Sequence, residues 1–274
     1  MSEEVRPIAL FDAGVGGLSV LKHIIKFMPN EDIIYFSDSA HRPYSKNTDH
    51  LIKKYSYDII KYFIKKNSKI IVIACNTITS SILPEAQKYA EIPIIGVIEA
   101  GVKEAVSKTK NNTVLVMGSR TTIKKQMYLR MLKKHSENIK VLELPCMPDL
   151  ANIVEEGIII PKYIIMNKLK SYFEPYLQEG FDTLILACTH FPFLIDYIRE
   201  ALNHKIEIVD PGRGTALRVM EILEKNKNIK PSKNKAIREF YTSGNLSEFK
   251  NFISKFFKIK DDNIKKIDLG VNYL

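Results

Sequence analysis

The most constraining feature of this chain is a repeated junction. Ile71-Val72-Ile73-Ala74-Cys75-Asn76-Thr77 and Leu184-Ile185-Leu186-Ala187-Cys188-Thr189-His190 share one pattern: a short apolar run, then Ala-Cys, then two polar residues ahead of a further structured stretch. A short run that is apolar at every position reads as a strand buried on both faces, and such strands belong to parallel sheets covered by helices. Parallel strands deliver side chains to a crevice at their carboxyl ends. Two thiols in equivalent places therefore point to two copies of one α/β unit with their working ends facing each other.

The rest of the sequence follows the same alternation. Ile8-Ala9-Leu10-Phe11 reads as a strand running into Asp12-Ala13-Gly14-Val15-Gly16-Gly17 and then a helix from Leu18. Asp32–Phe36 and Ile70–Ala74 read as strands around an amphipathic helix over 49–66. The pattern restarts at Thr113–Met117, with a helix over about 123–135, a strand at Val141–Leu144, a helix over roughly 161–178 and a buried strand at Thr183–Ala187. A tail follows with a helix, a strand at 239–243 and another helix. The fold expected is α/β: two related domains, each a mostly parallel sheet flanked by helices, pseudo-two-fold, with the active site in the interdomain cleft. The crossings fall at Ile94–Gly101 and Val209–Gly212, so 1–98 plus 212–274 form a discontinuous first domain and 99–211 the second.

Composition narrows the function. The 274 residues carry a net charge of +10, which invites a nucleic-acid reading. Only eight of the 41 basic residues are Arg, however, and base and phosphate readers favour its planar fork, so a solvated Lys-rich surface is the better account. Nucleic-acid binding is not expected as a primary role. The start, Met1 to Pro7, lacks a signal-peptide pattern, and no apolar run spans a bilayer, so a cytoplasmic location without membrane association is expected. Three cysteines, Cys75, Cys146 and Cys188, are too few and scattered for a disulfide framework or a four-ligand zinc site.

A single Cys after an apolar strand is often only a small core residue. Two in matching positions, each read as opening a helix, are better explained as functional, because a helix amino terminus lowers a thiol from its usual ~8.5. Cys146 lacks that setting and reads as structural. The amides opening those helices, with Asn76, Thr77 and Thr189 as side-chain donors, suit a small carboxylated ligand. His190 and Asp12 read as proton-transfer partners of the thiols. The run Gly14–Gly17 departs from the dinucleotide fingerprint and reads as close backbone approach to a small ligand. Opposed thiols suit inversion of a carbon centre, one group removing a proton from one face and the other delivering one to the opposite face. A cysteine hydrolase built on Cys188 and His190 would leave the first junction unused.

With these motifs in view, the chain resembles the cofactor-independent glutamate racemases of the aspartate/glutamate racemase superfamily. The resemblance rests on Phe11–Val20, Asp38–Ser45, Ala74–Thr77, Gly96–Glu99, Val154–Gly157, Ala187–Pro192 and Val209–Pro211, in that order along nearly the whole chain. It implies that Cys75 and Cys188 are the two acid/base residues, that Asp12 assists the first, and that His190 and Glu155 assist the second. It further implies that Asp12, Ala13, Pro43, Tyr44, Ser45, Cys75, Asn76, Thr77, Cys188, Thr189 and His190 line the substrate pocket. Family members use neither pyridoxal phosphate nor metal, supply D-glutamate for peptidoglycan, and are often homodimers. Three departures stand out: Ala13 where serine is usual, Ser45 where glycine is usual, and one extra residue between Cys146 and Glu155. An aspartate racemase, or a regulatory protein that acts on nucleic acid, is the competing expectation.

Overall fold

The computed structural model describes residues 5–203, 205–231, 235–257 and 263–269. The first four residues of the leader reading, and parts of the tail assigned to the first domain, lie outside these.

Two sheets, each entirely parallel, form the frame. The first contains β1 (Ile8–Asp12), β2 (Ile33–Ser37), β3 (Ile70–Ile73), β4 (Ile94–Gly96), β9 (Arg238–Thr242) and β10 (Ile264–Lys266), in the order β10-β9-β2-β1-β3-β4. The second contains β5 (Thr113–Ser119), β6 (Lys140–Cys146), β7 (Thr183–Ala187) and β8 (Glu207–Val209), in the order β6-β5-β7-β8. The sequence duplication is thus a topological one, since β2-β1-β3-β4 and β6-β5-β7-β8 are the same arrangement. The two Ala-Cys junctions follow β3 and β7, the third strand of each copy. The tail strand β9 pairs with β2 from Ile33↔Arg238 to Ser37↔Thr242.

Helices fill both faces. In chain order they are α1 (Leu18–Phe27), α2 (Asp49–Lys65), α3 (Asn76–Tyr89), α4 (Ile98–Lys108), α5 (Arg120–Lys124), α6 (Met127–His135), α7 (Asp149–Glu155), α8 (Lys162–Phe173), α9 (Ile195–Ala201), α10 (Pro211–Lys225) and α11 (Leu246–Phe256). Alternate residues of a strand serve opposite faces, and here both faces are dry. Ala9, Phe11, Ile71 and Ile73 pack with Ile52, Ile59 and Phe63 of α2 and Ile78 and Ile82 of α3. Their neighbours Leu10 and Val72 join a second cluster that runs continuously into Leu115, Met117, Leu184 and Leu186 of the other sheet. That shared core fixes the two sheets against each other.

The structure departs from three sequence-based expectations. The helix expected over 123–135 is broken by Gln126, which is left-handed at φ 52°. Tertiary contacts win there: Thr121 on α5 donates to the Ser45 carbonyl at 3.1 Å, while α6 turns away to bury Tyr128 and Leu132. The helix expected over 161–178 ends at Phe173, and Glu174–Glu179, which contains Pro175, winds as 3-10 turns. Cys188 does not open an α-helix: Thr189 and His190 lead into a 3-10 turn, Phe191–Leu194, where Pro192 supplies no amide donor. Cys75, by contrast, is the N-cap residue of α3.

Candidate active site

Because all strands in each sheet point the same way, the carboxyl ends of both sheets open onto one cleft. A cavity of about 80 Å³ lies there, lined from the first sheet by Asp12 at the end of β1, by 42–45 after β2, and by 75–77 after β3. From the second sheet it is lined by Ser119 at the end of β5, Cys146 at the end of β6, α7, and 187–191 after β7. Asp12, Ala13, Pro43, Tyr44, Ser45, Cys75, Asn76, Thr77, Glu155, Cys188, Thr189 and His190 are all brought to this cavity.

The polar groups form two sets, one centred on Asp12, whose charge acts on Cys75, and one that reaches the Cys188 sulfur through His190. Asp12 is completely buried; Oδ1 accepts from the Gly14 amide at 2.9 Å and Oδ2 from Thr189 Oγ1 at 2.8 Å. Burial pushes its carboxyl up, a shift only partly opposed by the charge of His190 and the two hydrogen bonds. On the other side, Glu155 Oε1 accepts from the Val15 amide at 3.0 Å and lies 2.8 Å from His190 Nε2. His190 Nδ1 is 3.6 Å from Cys188 Sγ. Burial acts to lower the imidazole, but its hydrogen bonds to Cys188 and Glu155 and their charges outweigh burial and hold it well above 6.5. Burial likewise works against ionised Glu155, and the His190 bond and charge, with Arg42 and the Val15 amide, reverse it and hold that carboxyl below 4.5. Carboxylate, imidazolium and sulfur are thus in line.

The helix-terminus argument for Cys75 is outweighed. The amides of Ile78 and Ala13 do favour its thiolate, but burial and the nearby Asp12 charge push the thiol well above its usual range. A buried sulfur without a cation beside it keeps its proton. The two sulfurs therefore sit in unlike settings despite their matching topology.

The glycine run also differs from the sequence reading. A Cβ at Gly14 would strike the Glu155 carboxylate, and one at Gly16 would lie 2.8 Å from the His190 ring. These glycines make room for side chains of the opposite half rather than for a ligand. Sequence reasoning also missed Arg42, Ser119, Cys146, Met147, Pro148, Ala151, Asn152, Ala187 and Phe191 as lining residues. Ser119 had a signal, since it ends β5 as Asp12 ends β1. Its hydroxyl joins those of Thr77 at 2.9 Å and Thr122 at 2.9 Å, which links the two halves across the cleft. Asn76 is oriented from the second half too, its Oδ1 accepting from Tyr128 OH at 2.8 Å. That bond leaves the amide NH₂ as the group available to an acceptor in the cavity. Among the described residues, no cluster of three or more His, Cys, Asp or Glu side chains is arranged to hold a metal ion.

The doubled parallel α/β frame, with a thiol after each third strand and both thiols on one cavity, is that of a family of isomerases. Residues 19–217 match the Asp/Glu/hydantoin racemase family, and the chain belongs to it. A glutamate racemase of Clostridium perfringens is 35% identical over 255 residues, covering 93% of this chain and 97% of that protein. The crystal structure of a glutamate racemase isoform from Bacillus anthracis superposes with a TM-score of 0.90 at 30% identity, over 97% of this chain and 98% of that one. That of a Francisella tularensis glutamate racemase in complex with D-glutamate gives 0.89 at 31% identity, over 97% and 99%. An aspartate racemase from Picrophilus torridus, at 16% identity and a TM-score of 0.55, shares the fold alone.

Proposed function

We propose that this protein is a glutamate racemase that interconverts L- and D-glutamate by 1,1-proton transfer between two thiols, without cofactor. The observation that carries the reading is that Cys75 and Cys188, which follow equivalent strands of two copies of one unit, line a single cavity. The similarity to glutamate racemases over almost the whole chain supplies the substrate.

In this mechanism one sulfur, as thiolate, removes the α-hydrogen as a proton, and the electron pair left on the α-carbon is delocalised into the carboxylate. The thiol on the opposite face returns a proton to that carbon, so the centre inverts and the sulfurs exchange protonation states. The Asn76 amide and the Thr77 hydroxyl hold the substrate carboxylate and stabilise its increased negative charge. Glu155 and His190 serve the Cys188 sulfur by keeping a protonated imidazole beside it. Asp12, whose own carboxyl is pushed up by burial, serves Cys75 as the nearby proton acceptor and donor.

The reading carries the rest of the family's biology: supply of D-glutamate for peptidoglycan, a homodimer, and a cytoplasmic location. Among the described residues, no helix is long and apolar enough to cross a membrane. It also takes 1–98 plus 212–274 and 99–211 as the two domains that close on substrate.

The test is racemisation of D- and L-glutamate in heavy water, followed by ellipticity and by α-deuterium. Wild type should interconvert both enantiomers with deuterium incorporation, and Cys75→Ala and Cys188→Ala should each abolish racemisation. Wild-type rates in either variant would overturn the two-thiol assignment.

A further inference from the structure

Among the described residues, Arg42 is the one Lys or Arg that lines the thiol cavity. Its side chain is 34% exposed, whereas Glu155, the nearest carboxylate, is 6% exposed, so the cation stands at the rim above a buried acid. Nη1 lies 3.9 Å from Glu155 Oε2, an attraction through space beyond hydrogen-bonding distance. Glu155 already has the Val15 amide and His190 on its other oxygen. The guanidinium fork is therefore not committed to Glu155. Arg42 also borders a second small cavity beside Ser39, Asn245 and Glu248, so it lies between the thiol cavity and that outer space.

The cavity's charges make this position informative. Deep in the cleft stand Asp12 and Glu155, with His190 the cation near the sulfurs. Neutral donors on Asn76 and Thr77 suit the substrate carboxylate next to the reacting carbon. A dicarboxylic amino acid brings a second carboxylate a side chain's length away, which enters a site that already holds two acids. A planar, permanently charged fork at the rim matches that group in geometry and sign. The segment that carries Arg42 is braced: Tyr44 donates to Asp38 Oδ2 at 2.5 Å, and Ser243 donates to Asp38 Oδ1 at 2.6 Å.

We propose that Arg42 is a specificity-determining residue, its guanidinium binding the side-chain carboxylate of the amino-acid substrate at the rim of the thiol cavity. The proposal rests on the function proposed above and adds the group that selects an acidic side chain over its neutral isostere. Discrimination arises because a carboxamide, with one acceptor oxygen and no charge, cannot form the bidentate ion pair and turns its NH₂ toward the guanidinium.

The experiment is calorimetric titration of wild type, Arg42→Met and Arg42→Lys with racemic glutamate and racemic glutamine, at low and moderate salt. Racemic ligands keep turnover from changing the composition during titration. Wild type should prefer glutamate. Arg42→Met should weaken glutamate about 10- to 100-fold, the range for a lost charged hydrogen bond, and glutamine by less than about threefold. Arg42→Lys, which keeps charge without the fork, should recover part of the preference, and the salt dependence of glutamate binding should flatten in Arg42→Met. Equal weakening of both ligands would assign Arg42 to the support of Glu155 and overturn the proposal, as would an unchanged preference. If wild type neither binds nor racemises glutamate, the proposed function itself fails. A wild type that racemises glutamate with a preference indifferent to Arg42 defeats this inference alone.

Discussion

His190 joins Glu155 and Cys188 through opposite edges of one ring: its Nε2 is 2.8 Å from Glu155 Oε1 while its Nδ1 is 3.6 Å from Cys188 Sγ. Glu155 therefore controls the charge and the tautomer of the group that faces the sulfur. The resulting pKa shifts have opposite signs and act on stability in opposite ranges. The raised imidazole gives stability that is complete below 6.5 and is lost as pH rises through its elevated value. The depressed carboxyl gives stability that is present above 4.5 and is lost as pH falls through its lowered value.

Glu155→Gln removes the acid from this relay. The alkaline limb of the pH–rate profile, where His190 loses its proton, should move to lower pH, and racemisation should fall by about tenfold or more. Thermal unfolding across pH should show a weaker loss of stability on the acid side than in wild type. A profile with an unmoved alkaline limb would count against the coupling.

Gly16→Ala places a methyl group 2.8 Å from the His190 ring and against Thr189. Both neighbours are buried and tied to Glu155 and Asp12, so the halves must separate to admit it. Overpacking of this kind costs about 1–3 kcal/mol. The expected result is a lower Tm with a larger loss in kcat, as His190 moves off Cys188.

Tyr128→Phe deletes the donor that fixes Asn76. A buried acceptor left unpaired costs about 1–3 kcal/mol, read by denaturant unfolding. The amide is then free to turn its oxygen toward the cavity, where it would face a carboxylate. KM for glutamate should rise more than the loss of stability alone explains.

Glu31→Ala tests a clamp away from the cleft. Glu31 pairs with Lys69 Nζ at 2.5 Å and accepts from the Lys230 amide at 2.8 Å, which ties the chain after α10 back to the first sheet. The Lys69 and Glu31 side chains are 1% and 2% exposed, and breaking a buried pair strands a charge at a cost of about 3–5 kcal/mol. Unfolding should move to lower denaturant, and Glu31→Ala/Lys69→Met should recover part of the loss.

Much of the frame was legible because strands buried on both faces leave continuous apolar runs, as at Ile70–Ile73 and Thr183–Ala187. The doubling was legible for the same reason, since each third strand runs into an Ala-Cys junction. Helix ends were less so. The left-handed Gln126 parts α5 from α6, the Pro175 segment after Phe173 winds as 3-10 turns, and the segment with Pro192 after Cys188 is a 3-10 turn. Local sequence also could not show what the glycines accommodate, because Glu155 and His190 come from far along the chain.

The sequence by itself determined that this is a doubled parallel α/β chain with a cysteine at the working end of each copy, because backbone pairing and apolar burial leave periodic traces in neighbouring residues. Only the tertiary structure decided how the two thiols differ. Cys75 is buried beside an acid and Cys188 is backed by His190 and Glu155, and a thiol's proton affinity is set by desolvation and by charges that folding brings from distant segments.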